Sequence, residues 1–450
     1  MLSVSEIAAI VEGCLLHEAP DEVVRVVHDS RNVRSGDLFI ALKGERTDGH
    51  LHLGEAFSAG ASAAIVSQPD RVPVGCRNAI VVDDCLRALW TLARIWRDRL
   101  ESRFVGITGS CGKTTTKSLI GHLLGEDSCA YVAPESYNTE IGLPLALLNM
   151  PSTARIGVFE LGANAPGDIV SLAELLRADV AVLTTVGRVH LEGFGSVDEV
   201  TREKWELAKS LPDDGIAIVN ADCPLLASLA TSYQGKLMLY GAKSGEFRGK
   251  VKTTPRGIAV QTENPAMKLS SRLMGKHNAT NLLAATACAL ELGVPAKTIE
   301  ERVTTFEPVP HRMNLVKTEW GYLLDDTYNA NPESMAAALR ALAELDLPVQ
   351  RRSFVFGDML ELGDEALAYH REVLDLALGL GVAPIFPVGE LANEAALGVT
   401  SGRAEEEIVF CDREELREVI ARAVVDVETV LLVKGSRGMR LEELVEELAR

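Results

Sequence analysis

The sequence predicts an α/β protein built from three units. Its 450 residues correspond to about three domains at roughly 150 residues each. Short apolar runs alternate with helix-like segments through two long stretches of the chain. That alternation implies parallel sheets covered by helices. A glycine-containing turn, TGSCGKTTTK (108–117), joins one such run to a helix.

The first 80 or so residues read as a small α/β domain. HDSRNVRSGDLFIALKG (28–44) places turn residues before a short apolar strand, GASAAIVSQ (60–68) suggests another, and a helix follows at about 84–100. FVGIT (104–108) then reads as a strand leading into a helix from about Lys113. IGVFEL (156–161), DVAVLTTV (179–186) and IAIVN (216–220) read as further buried strands, with a charged helix from about Val197 to Ser210 between the last two. GKHNATNLLAATACALELGV (275–294) starts as an Asn-containing turn and continues as an Ala/Leu helix ended by Gly293. EPVPHR (307–312), with two prolines, is the linker candidate. YLLDD (322–326), SFVFGD (353–358), PIFPVG (384–389) and TVLLVKG (429–435) then build a second α/β unit. The expected domains are 1–83, 84–311 and 312–450.

Composition limits the function. The formal net charge is −19, which argues against non-specific nucleic-acid binding. Anionic substrates remain possible, provided cations are gathered locally. Apolar residues make up 47% of the chain, enough for full cores. No apolar stretch is long enough to span a membrane. MLSVSEIAAIVEGCLL carries Glu6 and Glu12 and no basic start, so no signal peptide is expected. The eight cysteines show no CxxC spacing and read as reduced thiols of a cytoplasmic protein.

The strongest local signal is the loop TGSCGKTTTK. Backbone N–H groups of such a turn, at a helix N-terminus, cradle phosphates. Lys113 is placed to neutralise the β/γ oxygens, and a Thr hydroxyl to reach magnesium. The loop is shorter than the usual phosphate-binding pattern: Gly109 and Gly112 frame it, and Ile107 stands where that pattern has its first glycine. Glu160 and His190 follow predicted parallel strands, at the ends where open α/β sheets bind ligands. Glu160 suits magnesium; His190 is an unusual ligand for it. Both also read as ordinary strand-end and loop residues. Lys204 sits on a charged helix, where a solvated lysine is the ordinary reading. Asp326 precedes TYNANP and reads either as a contact to a nucleotide sugar or as a turn residue. Lys434, Ser436 and Arg437 form a basic, Gly-flanked turn suited to an anion, or a solvated loop.

The ordered series TGSCGKTTTK, ESYNTEIGLPLALL, FELGANAPGDI, HLEGFGSVDEVTREK, GKHNATNLLAA, HRMN, DDTYNANPESM, GDMLELGDEALAYH and LVKGSRG resembles the ATP-dependent Mur ligases of peptidoglycan synthesis. The resemblance runs from about Ser30 to Arg437. DDTYNANP, GDMLELG and the N-terminal DSR…GDLFIALKGER favour the branch that adds D-alanyl-D-alanine.

The resemblance implies three domains: a small α/β domain for the UDP-sugar peptide, a central P-loop ATPase domain with a parallel sheet, and a C-terminal Rossmann-like domain. It implies ATP between the second and third, and use of two magnesium ions. Gly109, Ser110, Gly112, Lys113, Thr114 and Thr115 match the phosphate loop. Thr114, Glu160 and His190 match metal positions, and Lys204 matches a lysine that becomes N-carboxylated and so helps to hold the second metal. Lys113, Glu160, His190 and Lys204 form the expected catalytic set. Asn138 matches a residue near ATP and metal. Asn278, Asn281, Arg312, Asp326, Tyr328 and Asn329 fall where the family contacts the nucleotide. Ser30, Arg31, Lys43 and Gly44 fall where it contacts the UDP-sugar. Cys111, Thr139, Leu161 and His311 depart from the common family residues without removing a charged group.

The implied reaction joins D-alanyl-D-alanine to UDP-N-acetylmuramoyl-tripeptide through an acyl phosphate, in a cytoplasmic monomer, with small-molecule partners and no nucleic acid. Closure of the C-terminal domain about Pro308 and Pro310 is expected. One alternative is the sibling ligase that adds the third amino acid, whose DNPR-type signature is missing here. Another is a nucleotide-binding module without catalysis, against which the intact Lys113, Glu160, His190 and Lys204 argue.

Overall fold

The computed structural model describes residues 2–16, 22–44, 47–74, 76, 78–134, 136–254, 257–347, 349–399, 407–424 and 428–449. Glu45 and Arg46 of the GDLFIALKGER motif, and Glu135 of ESYNTEIGLPLALL, lie outside them. Two compact units emerge. The first comprises 1–104, 128–161 and 171–177; the second comprises 105–127, 162–170 and 178–450.

In the first unit, five short strands form one sheet. Their order is Cys14–Leu15, Ala79–Val81, Ala63–Val66, Asp37–Ile40 and Arg25–Val27. All neighbours are parallel except the first pair. The expected strands in 28–44 and 60–68 are both present. Asp37–Ile40 and Ala63–Val66 are buried at every position, as strands covered on both faces must be. Helix Cys85–Asp98 starts at Asp84, whose side chain accepts from Arg87 N, and buries Cys85, Ala88, Leu89, Leu92, Ala93 and Trp96. That spacing is one stripe of an α-helix. A second parallel pair, Ala130–Val132 with Ile156–Glu160, completes the unit, along with helix Gly142–Leu148.

The second unit carries two sheets. One runs Ala266–Ser271, Gly257–Glu263, Phe247–Thr254, Lys236–Gly241, Ile216–Asn220, Val180–Leu183 and Arg103–Thr108. The strands from Lys236–Gly241 onward are parallel, as expected. Lys236–Gly241 was not itself expected, nor were the three strands at the other end. They form an antiparallel meander. Ala266–Ser271 alternates exposed and buried along its whole length. A period of two with one wet face is what an antiparallel edge needs. Helix His277–Glu291 packs on helix Lys113–Leu124. Arg302 Nη1 donates to Leu123 O and Leu124 O, at 2.7 and 2.6 Å, and so satisfies carbonyls at the end of that helix.

The other sheet runs Asn314–Thr318, Gly321–Asp325, Thr429–Lys434, Arg351–Gly357 and Ile385–Val388. Only the first pair is antiparallel. Thr429–Lys434 is buried throughout. Val430 and Leu432 pack with helix residues Met335, Leu339 and Leu374. Leu431 and Val433 point the other way, toward Leu416, Ile420 and Leu444. The strand therefore ends with Lys434 at the carboxyl edge of a two-sided sheet, where α/β folds place ligands.

All eight cysteines are unbridged. Among the described residues, no helix is long and apolar enough to cross a membrane.

The edge strand Arg25–Val27 is held by a side chain. Asn149 Oδ1 accepts from Val26 N at 2.9 Å, and its Nδ2 donates to Val26 O and Leu145 O, both at 2.8 Å. Asn149→Ala leaves both Val26 groups without this partner. It is expected to cost about 1–3 kcal/mol, read as a lower urea midpoint with an unchanged slope.

Candidate active site

The phosphate loop is built from strand Arg103–Thr108, the turn 109–112 and helix Lys113–Leu124. Gly109 has φ +148°, and a Cβ there would lie 2.0 Å from Thr184 Oγ1. Gly112, the residue before the helix, has φ +88°, and a Cβ there would lie 2.2 Å from Asn281 Oδ1. Only glycine meets both demands. Ser110 N donates to Thr185 O at 2.6 Å, and Thr184 Oγ1 donates to Cys111 O at 2.6 Å. Lys113 Nζ donates to Gly109 O at 2.6 Å, so its ammonium lies folded over the loop. Asn281 Nδ2 donates to Asn278 Oδ1 at 2.8 Å, and Asn278 Nδ2 to Met274 O at 2.8 Å. These two expected nucleotide contacts thus brace the loop from helix His277–Glu291.

The C-terminal sheet delivers residues to the same place. Arg312 Nη2 donates to Thr114 Oγ1 at 2.8 Å, and its guanidinium lies 3.8 Å over the Tyr328 ring. Asn331, which caps helix Pro332–Glu344, places Nδ2 3.3 Å from Cys111 Sγ. Burial raises the Cys111 thiol above its ordinary value. Asp326 Oδ2 lies 2.6 Å from Lys434 Nζ, and Asp326 Oδ1 accepts from Met313 N at 3.1 Å. Burial raises the Asp326 carboxyl, against the pull of Lys434 and Arg312. Lys434 is 2% exposed and also donates to Asn329 O at 2.8 Å. It belongs to a buried ion pair, not to a solvated basic turn. Arg437 lies 5.6 Å over the same Tyr328 ring.

Lys204 corrects the ordinary reading of a lysine on a charged helix. It is 2% exposed, and no described residue accepts a hydrogen bond from it. Burial, reinforced by the Lys113 charge, pushes its pKa down to about 7. The adjacent Glu203 accepts from Ile169 N and Gly167 N, at 2.6 and 2.9 Å.

His190 has φ +50° and precedes the short helix Leu191–Phe194. Its Nδ1 lies 2.5 Å from Glu361 Oε2. Burial lowers its pKa, with Glu361 opposing. The preceding Arg188 donates from N and Nε to Glu333, at 2.9 and 2.8 Å, and from Nη1 to Glu372 at 2.8 Å.

The remaining expected residues belong to the first unit. Glu160 ends strand Ile156–Glu160 and is 2% exposed. Asn138 is half-buried, four residues before helix Gly142–Leu148. Ser30 Oγ donates to Glu55 Oε2 at 2.7 Å. Arg31, paired with Asp29, lines a cleft with Arg25, His28, Arg34 and Tyr137. Lys43 and Gly44 are exposed beyond strand Asp37–Ile40 and do not line that cleft.

Sequence reading assigned no role to Arg188, Glu203, Asn331, Glu333, Glu361 or Glu372. Glu203, Asn331, Glu333 and Glu361 lie inside motifs already recognised, and a charge or amide there was the available signal. Their partners are 34–220 residues away in sequence, so no local spacing reveals the contacts.

Comparison with known proteins places this geometry. The chain matches the Mur ligase family catalytic domain over residues 22–96, the Mur ligase middle domain over 107–289 and the Mur ligase glutamate ligase domain over 311–437. It is 32% identical to the UDP-N-acetylmuramoyl-tripeptide–D-alanyl-D-alanine ligase of Bacillus subtilis, over 99% of this chain and 98% of that protein. The Escherichia coli ligase of the same name is also 32% identical, with 99% and 98% covered. Among solved structures, MurF from Acinetobacter baumannii superposes with a TM-score of 0.87 at 29% identity, covering 99% of this chain and 98% of that one. MurF from Thermotoga maritima in complex with ADP gives 0.81 at 30%, covering 94% and 97%.

Gly112→Ala puts a methyl where Asn281 Oδ1 sits and demands a left-handed backbone of alanine. The expected loss is about 1–3 kcal/mol, measured as a lower denaturation midpoint. An unchanged midpoint would mean that the loop does not hold this conformation.

Proposed function

The chain belongs to the Mur ligase family, and from that premise we infer that it joins D-alanyl-D-alanine to UDP-N-acetylmuramoyl-tripeptide at the expense of ATP. The observation that carries this reading is the full-length match to ligases of that name, at 32% identity over 99% of the chain. The fold supports it: three sheets stand where three Mur ligase domains match. We assign the domains as 1–83, 84–311 and 312–450.

The chemistry begins with two anions. The terminal carboxylate of the tripeptide attacks the γ-phosphorus of ATP, the bond to the β-phosphate oxygen breaks, and ADP leaves. The amine of D-alanyl-D-alanine then attacks the acyl carbon. The tetrahedral intermediate expels phosphate, and the ammonium proton is lost. Carboxylate and triphosphate repel, so the first step needs local positive charge. The loop N–H groups, Lys113 and Arg312 supply it in a chain of net charge −19. Ser110 and Thr115 belong to the same cradle. Asn138, Asn278, Asn281, Asp326, Tyr328 and Asn329 surround the nucleotide in this reading. Ser30, Arg31, Lys43 and Gly44 serve the UDP-sugar.

Magnesium fits the residues present. Among the described residues, no three His, Cys, Asp or Glu side chains cluster as a cage. A cation that keeps its waters and binds mainly through phosphates needs none. Thr114, Glu160, His190 and Lys204 are the proposed protein ligands. Bound there, the metal neutralises phosphate charge. A bare lysine ammonium is unfit for this task. Lys204, with a pKa near 7 and no hydrogen-bond acceptor among the described residues, offers a neutral amine at neutral pH. Addition of that neutral amine to CO2 gives a carbamate anion and releases one proton, so a position that would otherwise carry an ammonium becomes anionic. Use of ATP and a UDP-linked substrate, with eight unbridged thiols, supports a cytoplasmic setting for the reaction.

Phosphate release from ATP is expected only when both UDP-MurNAc-tripeptide and D-alanyl-D-alanine are present. The product mass should rise by one dipeptide less water. Release with UDP-MurNAc-dipeptide and a single amino acid would move the assignment to the sibling ligase. No acceptor-dependent release would leave a nucleotide-binding module.

Lys204→Ala is expected to lower kcat by about 100-fold or more, on the scale of removing one stabilising charge from the transition state. Added acetate or propionate should restore part of that activity by standing in for the carbamate. Rescue by neither acid would remove the carbamate from the mechanism.

A further inference from the structure

We propose that Glu361 is a positioning residue for His190, supplied by the C-terminal domain so that the metal-binding face of this imidazole is set from across the domain boundary. The proposal rests on the magnesium-dependent reading above, in which His190 is a ligand.

The geometry begins with the segment after strand Arg351–Gly357. Met359 N donates to His370 Nε2 and Leu360 N to Ser436 Oγ, both at 2.9 Å. These bonds hold the chain as it leaves the sheet. Glu361 then takes φ +64° and Gly363 φ +68°. A left-handed glutamate is an uncommon conformation. Here it accompanies a carboxylate that reaches a loop of the central sheet, with Oε2 2.5 Å from His190 Nδ1.

That loop is gripped at three further points by C-terminal residues. A Cβ on Gly187 would lie 2.6 Å from Glu333 Cδ, so the loop backbone packs directly on Glu333. Arg188 is held by Glu333 and Glu372. Its guanidinium lies 4.7 Å from the Tyr369 ring centroid. These contacts fix the loop two residues before His190, independently of Glu361.

The consequence follows from imidazole chemistry. A neutral histidine carries one N–H and one lone pair. A carboxylate against Nδ1 accepts a hydrogen bond from the N–H there and leaves the lone pair on Nε2. Metal-ligating histidines are oriented in this way by an outer carboxylate, whose loss weakens metal binding about 10–100-fold. Here that carboxylate comes from a different domain, so docking of the C-terminal domain and readiness of the metal ligand are one event.

The test uses the full chain, a non-hydrolysable ATP analogue and Mn2+ as the probe, with free Mn2+ read by electron paramagnetic resonance. Glu361→Ala is expected to weaken Mn2+ binding about 10-fold with an unchanged unfolding midpoint, since Glu361 is exposed. Nitrogen NMR of His190 should show the proton on Nδ1 in the parent and a mixture of tautomers in the variant. Glu361→Gln, whose side-chain oxygen still accepts from Nδ1, should recover the tautomer and most of the affinity. Equal losses in the Ala and Gln variants would overturn the proposal. So would parental Mn2+ affinity in Glu361→Ala while His190→Ala loses it, a result that leaves the magnesium reading intact. Parental affinity in His190→Ala would instead remove His190 from the metal site, and this proposal with it.

Discussion

Gly109 and Gly112 let the backbone of the phosphate loop approach Thr184 and Asn281 more closely than any side chain permits. Much of the site hangs on that approach. With the loop pressed on the neighbouring strand end, Thr184 Oγ1 can reach Cys111 O and Ser110 can exchange hydrogen bonds with Gly187. The turn then delivers Lys113 to the first position of its helix. It also leaves the segment 187–190 beside the loop, held there by the Ser110–Gly187 hydrogen bonds.

The acidic chain buries two lysines in two different ways. Lys434 and Lys204 are equally buried, at 2% exposure. Lys434 pairs with Asp326 and donates to a carbonyl as well. Such a pair offsets the desolvation of both members only while both are present. Lys204 has no acceptor among the described residues and lies within reach of the Lys113 charge, so desolvation and repulsion both favour its neutral form. One lysine is therefore held in a buried ion pair, and the other sits where its surroundings favour the neutral amine. Their local sequences differ, since Lys204 lies on a charged helix and Lys434 ends an apolar strand, yet both also read as solvent-facing.

What the sequence made legible follows the range of the underlying physics. Strand Thr429–Lys434 is a continuous apolar run, and helix Lys113–Leu124 opens on a glycine turn; both are local signals and both were read correctly. The antiparallel meander from Phe247 to Ser271 was equally local, with a period of two, but its mix of Lys, Thr and Ser lacks the apolar density of a buried strand. The burial of Lys204 was out of reach because it depends on packing between helix Val197–Lys209 and the rest of the unit. The role of Glu361 was hidden for a different reason. The motif around it was recognised as a whole, and only the fold shows which of its residues faces His190.

The pattern of contacts across the second unit has a chemical logic. Arg312 meets Thr114, Asn331 meets Cys111, Glu333 meets Arg188 and Glu361 meets His190. Each pair joins the C-terminal sheet to the phosphate loop or to the loop beside it. An acyl phosphate is destroyed by water, so a site that makes one must exclude solvent until the amine arrives. The carboxyl edge of a single open sheet cannot do that, because its loops face solvent on one side. Opposing a second sheet edge supplies the missing wall. Placing polar partners on both walls also makes the enclosed state depend on matched side chains, so closure and the arrangement of charged groups are enforced by the same contacts. The buried Lys434–Asp326 pair then acts as the fixed point of the second wall. It ties the end of strand Thr429–Lys434 to the turn carrying Tyr328 and Asn329, and so holds the Arg312 guanidinium, stacked on Tyr328, over Thr114.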